Sequence, residues 1–131
     1  MKLIDTHTHL YVEAFDEDRD QVIEKAIAVG VERFYLPAID STYTARMLDL
    51  EKKYPDHIRL MMGLHPTHVK ENYKEELLHV EQFLAKRNFA AVGEIGIDLY
   101  WDKSFLKQQQ EAFDAQISWA KEKELPIVIH C

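Results

Sequence analysis

Five short apolar runs punctuate the chain. They are Lys2–Asp5, Arg33–Ile39, Ile58–Leu64, Phe89–Ile97, and a run that opens at Leu125-Pro126 and ends at His130. The second is apolar almost throughout, as expected of a strand buried on both faces. Between the runs, apolar residues recur at helical spacing. Val22, Ile23, Ala26 and Ile27 make the first stripe, with Asp16-Glu17-Asp18 as N-cap and first-turn acids and Gly30 as the C-terminal stop. The second stripe carries Ala45, Leu48 and Lys52 with Met47 close by, starts at Asp40 or Ser41 and stops at Pro55. The third, capped by Asn72, runs through Tyr73, Leu77, Val80 and Leu84, and the fourth, capped by Ser104, through Leu106, Phe113, Ile117 and Ala120. Strand and helix thus alternate at intervals of roughly thirty residues, the size of a βαβ unit. Such alternation predicts an α/β protein with a parallel sheet, either doubly wound or a β/α barrel.

The polar residues at the ends of the strands weigh between these two. Asp5, His7 and His9 alternate in Asp5-Thr6-His7-Thr8-His9-Leu10, so an extended backbone sets all three on one face. An HxH pair alone carries little information. The third strand, however, ends in Gly63-Leu64-His65-Pro66, the fourth holds Glu94 between Gly93 and Gly96, and the fifth ends at His130. Histidines and a carboxylate at four strand ends suit Zn²⁺, Mn²⁺ or Mg²⁺, and a carboxylate can bridge two ions. Barrel enzymes collect their sites at the C-terminal ends of the strands, which favours the barrel. No GxGxxG follows the first strand, which disfavours a Rossmann fold.

Each residue also has a plainer reading. His130 alone could be satisfied by a neighbouring carbonyl, His65 could be a turn residue before Pro66, and the two glycines could mark a bulge or close packing. Glu94 is harder to dismiss, because a carboxylate in an apolar strand needs a partner or a cation. His57, His68 and His79 fall outside the pattern and read as surface residues. Tyr100 and Trp101 are either core aromatics or a lid over the site.

Composition narrows the function classes. A chain of 131 residues that is 47% hydrophobic suits one domain with a sizeable core. A net charge of −7 argues against a broad footprint on duplex nucleic acid. It leaves room for a nucleic-acid substrate held locally through bound cations. One cysteine, Cys131, permits no internal disulfide and predicts a reducing compartment. With no signal-like or membrane-length apolar stretch, the expectation is a soluble cytoplasmic protein with no membrane partner.

Four stretches resemble the TatD family of metal-dependent hydrolases among the amidohydrolase-like barrels. They are Asp5–Leu10 (DTHTHL), Gly63–Pro66 (GLHP), Gly93–Asp102 (GEIGIDLYWD) and Leu125–His130 (LPIVIH). Gln108–Phe113 leading to Gln116 is similar to the family as well, and Ile97 stands where leucine is more frequent. The resemblance implies a TIM-type β/α barrel of eight strands, of which this chain holds the first five, with residues 1–131 as the N-terminal portion of a single barrel domain. It implies one or two divalent ions (Mg, Mn or Zn) held by His7, His9, Glu94 and His130, with Glu94 able to bridge. Glu94, His65 and Asp98 would form the catalytic set, His65 near the substrate phosphate and Asp98 in support by hydrogen bonding. His65, Tyr100 and Trp101 would meet the substrate. The implied reaction is phosphodiester hydrolysis, including deoxyribonuclease activity, and the acidic balance points to DNA ends or single strands. A histidine and an aspartate that the family carries on its sixth and eighth strands are not among these residues, so the chain as it stands is expected to be incomplete for catalysis. Amide or ester hydrolysis, and a non-catalytic metal- or partner-binding role through open sheet edges, are the alternatives.

Overall fold

In the computed structural model, which describes residues 1–131, the five apolar runs form five parallel strands in chain order, β1-β2-β3-β4-β5. They are β1 (Leu3–Asp5), β2 (Val31–Leu36), β3 (Ile58–Met62), β4 (Ala91–Ile95) and β5 (Ile127–Ile129). Four helices make the crossovers: α1 (Arg19–Ala28), α2 (Thr44–Lys53), α3 (Tyr73–Lys86) and α4 (Leu106–Glu122). A doubly wound sheet reverses its strand order at a switch point. Here every crossover steps the same way, and the sheet curls into part of a β/α barrel.

Burial follows that curl. All five residues of β4 and four of the five in β3 are buried, as both faces of the central strands are covered. Ile23, Leu36, Ile58, Val80, Val92 and Ile95 sit at the heart of the core, each no more than about 1% exposed. Each such side chain contributes about 1.5–3 kcal/mol by leaving water. The outer strands differ: Leu3 and Ile4 on β1, and Ile127 and Ile129 on β5, are exposed.

Strands β2, β3 and β4 end two or three residues before the apolar runs do. β1 stops at Asp5, so His7 and His9 lie on a loop rather than on one face of a strand. The Asp5 carboxylate accepts the His7 backbone N–H (3.2 Å) and stands apart from the imidazoles. The loops remain tethered to neighbouring backbone, with Thr8 N donating to Tyr35 O (3.1 Å), His65 N to Ile39 O (2.9 Å) and His130 N to Ile95 O (2.8 Å).

The helix starts depart from the expected caps. Asp16 accepts from Arg19 (2.7 Å) and Arg46 (2.8 Å), and Asp18 takes the expected N-cap position of α1 but without a side-chain bond. Asp40 does accept from Thr42 N (2.9 Å), on a 3₁₀ turn, Ser41–Tyr43, that leads into α2. Asn72 stands at the start of α3 without a side-chain bond, and Asp102 rather than Ser104 supplies the side-chain oxygen before α4. Gly30 closes α1 as expected, at φ +115°, where a side chain would run into the Met1 carbonyl.

Two helical stripes are also rotated from their expected faces. In α2 the buried residues are Thr44, Met47 and Leu50, while Ala45 is exposed. In α4 they are Gln109, Ala112, Gln116 and Ala120, with Phe113 and Ile117 half-buried and Leu106 exposed. The α4 face turned to the sheet must satisfy loop backbone groups as well as cover apolar side chains, and it does so with two amides.

Candidate metal centre

Glu94 is the hub. The β4–β5 register slips between Gly93 and Ile95, leaving Glu94 as the additional residue of a bulge. Bulges re-aim a side chain out of a strict alternation. The result is a carboxylate in an apolar strand, 4% exposed, with both oxygens occupied. Oε1 lies 2.7 Å from His7 Nε2, and Oε2 lies 2.7 Å from His65 Nε2 and 3.4 Å from His130 Nδ1. Burial acts to raise the Glu94 pKa. The hydrogen bond from His65 and the charges of His65, His7 and His9 outweigh it together and hold the carboxyl down to about 2.

The imidazoles are oriented differently from one another. His65 Nδ1 accepts the Thr67 backbone N–H (3.2 Å) and pairs with the Thr67 hydroxyl (2.7 Å). A backbone amide only donates, so the neutral His65 ring carries its proton on Nε2 and donates to Glu94. That suits His65 to an anionic oxygen more than to a cation. His130 Nε2 lies 2.6 Å from Asp98 Oδ2, which turns Nδ1 toward Glu94. The Tyr100 backbone N–H and then the His130 ring keep the Asp98 pKa below its usual value. His9 stacks edge-on to His7 at 5.3 Å between ring centres, and its Nδ1 is 3.0 Å from the Tyr11 hydroxyl. Burial, only partly offset by the Glu94 charge, lowers the His9 pKa and favours the neutral ring a metal requires.

Two residue sets therefore share Glu94: His7 with His9, and His65 with His130, the candidate ligand atoms in each lying within 4.8 Å of one another. Several imidazoles around an ionised, buried carboxylate fit a borderline divalent cation. Asp98 touches the second set through His130 and is not itself one of the grouped residues. Tyr100 and Trp101 are 81% and 79% exposed, which excludes the core reading. Their rings meet edge-on at 4.7 Å on the loop after β4, and Tyr100 N donates to Asp98 (2.9 Å). His57, His68 and His79 lie outside the cluster but are half-buried rather than superficial, bonded to Glu32 O, Asp40 and Thr44 respectively.

The site loops rest on α4. Gln109 grips the Asp98 backbone from both sides, accepting its N–H (2.8 Å) and donating to its carbonyl (2.9 Å). Gln116, 1% exposed, accepts the N–H of Leu64 (2.7 Å), the residue before His65. The two glutamines are seven residues apart and so share a face. Their role is visible in sequence only as two amides on the inward side of a helix. Tyr11 is the other residue that reasoning from sequence misses; its only signal is that it continues the alternation of His7 and His9.

A groove of about 640 Å³ between α1 and α2 is lined by Arg19 and Arg46, which are already paired with Asp16. No helix is long and apolar enough to cross a membrane.

Comparison with known proteins gives a consistent picture. The family model described as TatD related DNase matches residues 4–131. The uncharacterized metal-dependent hydrolase YabD of Bacillus subtilis is 39% identical over 128 residues, covering 98% of this chain and 50% of that protein. The 3'-5' ssDNA/RNA exonuclease TatD of Erwinia tasmaniensis is 30% identical over 129 residues, again covering 98% and 50%. Among solved structures, YJJV, a TatD homolog from Escherichia coli K12, superposes with a TM-score of 0.87 at 33% identity, covering 98% of this chain and 50% of that one. The chain spans about half the length of the curated relatives it matches.

Proposed function

The chain belongs to the TatD related DNase family, and from that premise we propose that the protein is a divalent-metal-dependent phosphodiesterase acting on single-stranded nucleic acid or on DNA ends. The observation that carries this reading is the buried Glu94 carboxylate, engaged on both oxygens by imidazoles from three other strand ends. We further propose that residues 1–131 are the N-terminal part of one barrel domain, a reading supported by the exposed edge strands β1 and β5 and by the half-length match to relatives.

His7, His9 and Glu94 would hold one divalent cation (Mg, Mn or Zn), and Glu94 with His130 would hold a second. When bound, such an ion supplies Lewis-acid polarisation of a phosphoryl oxygen and local positive charge. The remaining work falls to the chain's own groups. Glu94, fixed by the β4 bulge, keeps the histidines gathered about one centre. The His65 Nε2–H, which donates to Glu94 in the structure, would be offered to a phosphate oxygen in its place, a charge-assisted bond stronger than a neutral one. Asp98 holds the His130 Nε2–H and so turns its Nδ1 inward, with Gln109 clamping the Asp98 backbone.

The exposed Tyr100–Trp101 pair supports a single-stranded substrate, because unstacked bases lie on aromatic faces at about 1–3 kcal/mol each. The −7 net charge supports short or single-stranded substrates over long duplex, with the bound cations as the local anchor. The free Cys131 supports a reducing, cytoplasmic setting.

The test is turnover of a single-stranded oligonucleotide with Mg²⁺ or Mn²⁺ by the native-length protein beside Glu94→Ala. The variant is expected to lose at least about 10²-fold in rate, the scale of removing one preorganised electrostatic group. Equal rates, or turnover confined to amides and carboxylic esters, would contradict the reading.

A further inference from the structure

We propose that Tyr11 is a positioning residue for metal capture: its hydroxyl relays the Pro37 carbonyl to His9 and fixes the imidazole in the Nδ1–H tautomer, so that Nε2 is the nitrogen presented to a cation. The proposal deepens the metal-dependent reading and rests on His9 being a ligand there, but the tautomer itself is a property of the chain alone.

Proton accounting leads to this tautomer. The Tyr11 oxygen lies 2.5 Å from Pro37 O and 3.0 Å from His9 Nδ1. A carbonyl oxygen carries no proton, so the single hydroxyl proton of Tyr11 must point at Pro37. The hydroxyl then meets His9 only as an acceptor, and Nδ1 must supply the hydrogen. In a neutral ring the lone pair is left on Nε2. The reverse arrangement, with Nε2 protonated, would set the Nδ1 lone pair against a hydroxyl oxygen whose proton is already committed.

The hydroxyl is held where it must be. Tyr11 is 1% exposed, so no bulk water competes for either bond. Its ring packs edge-on against Tyr43 at 5.6 Å and against His9 at 5.8 Å. Its backbone carbonyl accepts from Arg46 (3.0 Å) and from Arg19 (3.3 Å), two guanidiniums that also share Asp16. Pro37, just beyond β2, sits beside Ala38, whose own N–H and C=O are bonded to Gly93 and Glu94. The relay thus ties the loop after β1 to a backbone segment that already flanks the Glu94 bulge. Metal-binding histidines commonly depend on such an outer partner, and losing it weakens metal affinity about 10–100-fold.

Two measurements on the native-length protein test this. The first is imidazole ¹⁵N–¹H correlation NMR on the metal-free wild type, with the His9 signals assigned by their loss in His9→Gln. We expect a protonated Nδ1 and an unprotonated Nε2; an Nε2–H ring overturns the proposal whatever the substrate proves to be. The second is Zn²⁺ affinity by chelator competition for Tyr11→Phe, which keeps the packed ring and removes only the hydroxyl. Binding is expected to weaken about 10–100-fold, with the Nδ1–H signature diminished. Unchanged affinity overturns the positioning role, and the wild-type spectrum decides the tautomer even should Tyr11→Phe fail to fold. A protein with the expected tautomer but no nuclease activity would count against the functional reading and leave the relay standing.

Discussion

Gln116 shows how one buried polar group can hold a site in place. Its amide oxygen accepts the Leu64 N–H at 2.7 Å, and its amide nitrogen donates to Ala112 O at 3.1 Å within its own helix. No water reaches it at 1% exposure, so Leu64 N–H has no substitute acceptor. Gln116→Leu preserves most of the volume and removes that acceptor. Leaving a buried amide unpaired costs about 1–3 kcal/mol. Denaturant unfolding should register a loss of that size, and the His65 loop should exchange its amide hydrogens faster; an unchanged midpoint would show that the loop finds its own partner. At this scale the residues that gather about Glu94 are readable from sequence, because a glutamate in an apolar strand needs a partner and histidines at other strand ends can provide one. The supporting residues are not. Gln109, Gln116 and Tyr11 look ordinary until the backbone groups they satisfy, up to 52 positions away, are known.

The elements are readable in number and order, and less so in their edges. Strand β1 and the loop after it illustrate why. Alternation in Asp5–His9 looks like continued strand, yet β1 ends at Asp5, whose carboxylate accepts the His7 N–H, and a loop carries His7 and His9 to Glu94. The buried faces of α2 and α4 differ from the apolar stripes for a related reason: apolar spacing identifies a stripe, but the stripe that packs also carries Thr44, Gln109 and Gln116. The close approach of β3 and β4 has a similarly local cause. A Cβ added at Gly63 would stand 2.9 Å from the carbonyl carbon and oxygen of Gly93, backbone that cannot swing away as a side chain can. Gly63→Ala should therefore push β4 outward at a cost of about 1–3 kcal/mol. Because the displaced segment precedes Glu94, metal affinity should fall together with the melting temperature. Full affinity in a destabilised variant would mean that the bulge is positioned independently of β3.

At the scale of the whole molecule, chain-order strands and strand-end histidines amount to the same fact seen twice. A sheet that steps in one direction brings the ends of β1, β3, β4 and β5 to a common mouth, and four separate motifs become one cluster about Glu94. The parallel α/β class follows directly from the periodicity; the choice of barrel over doubly wound sheet needs the chemistry at the strand ends, since hydrophobic spacing is the same in both. The role proposed for this cluster is that of a divalent-metal site with Glu94 at its hub. The most direct test is calorimetric titration of the metal-free, native-length protein with Zn²⁺ or Mn²⁺, beside Glu94→Gln, which keeps the size of the side chain and removes its charge. Saturable binding by the wild type, weakened at least about tenfold in Glu94→Gln, is the predicted result. Equal affinities in the two proteins, or no saturable binding by the wild type, would contradict it.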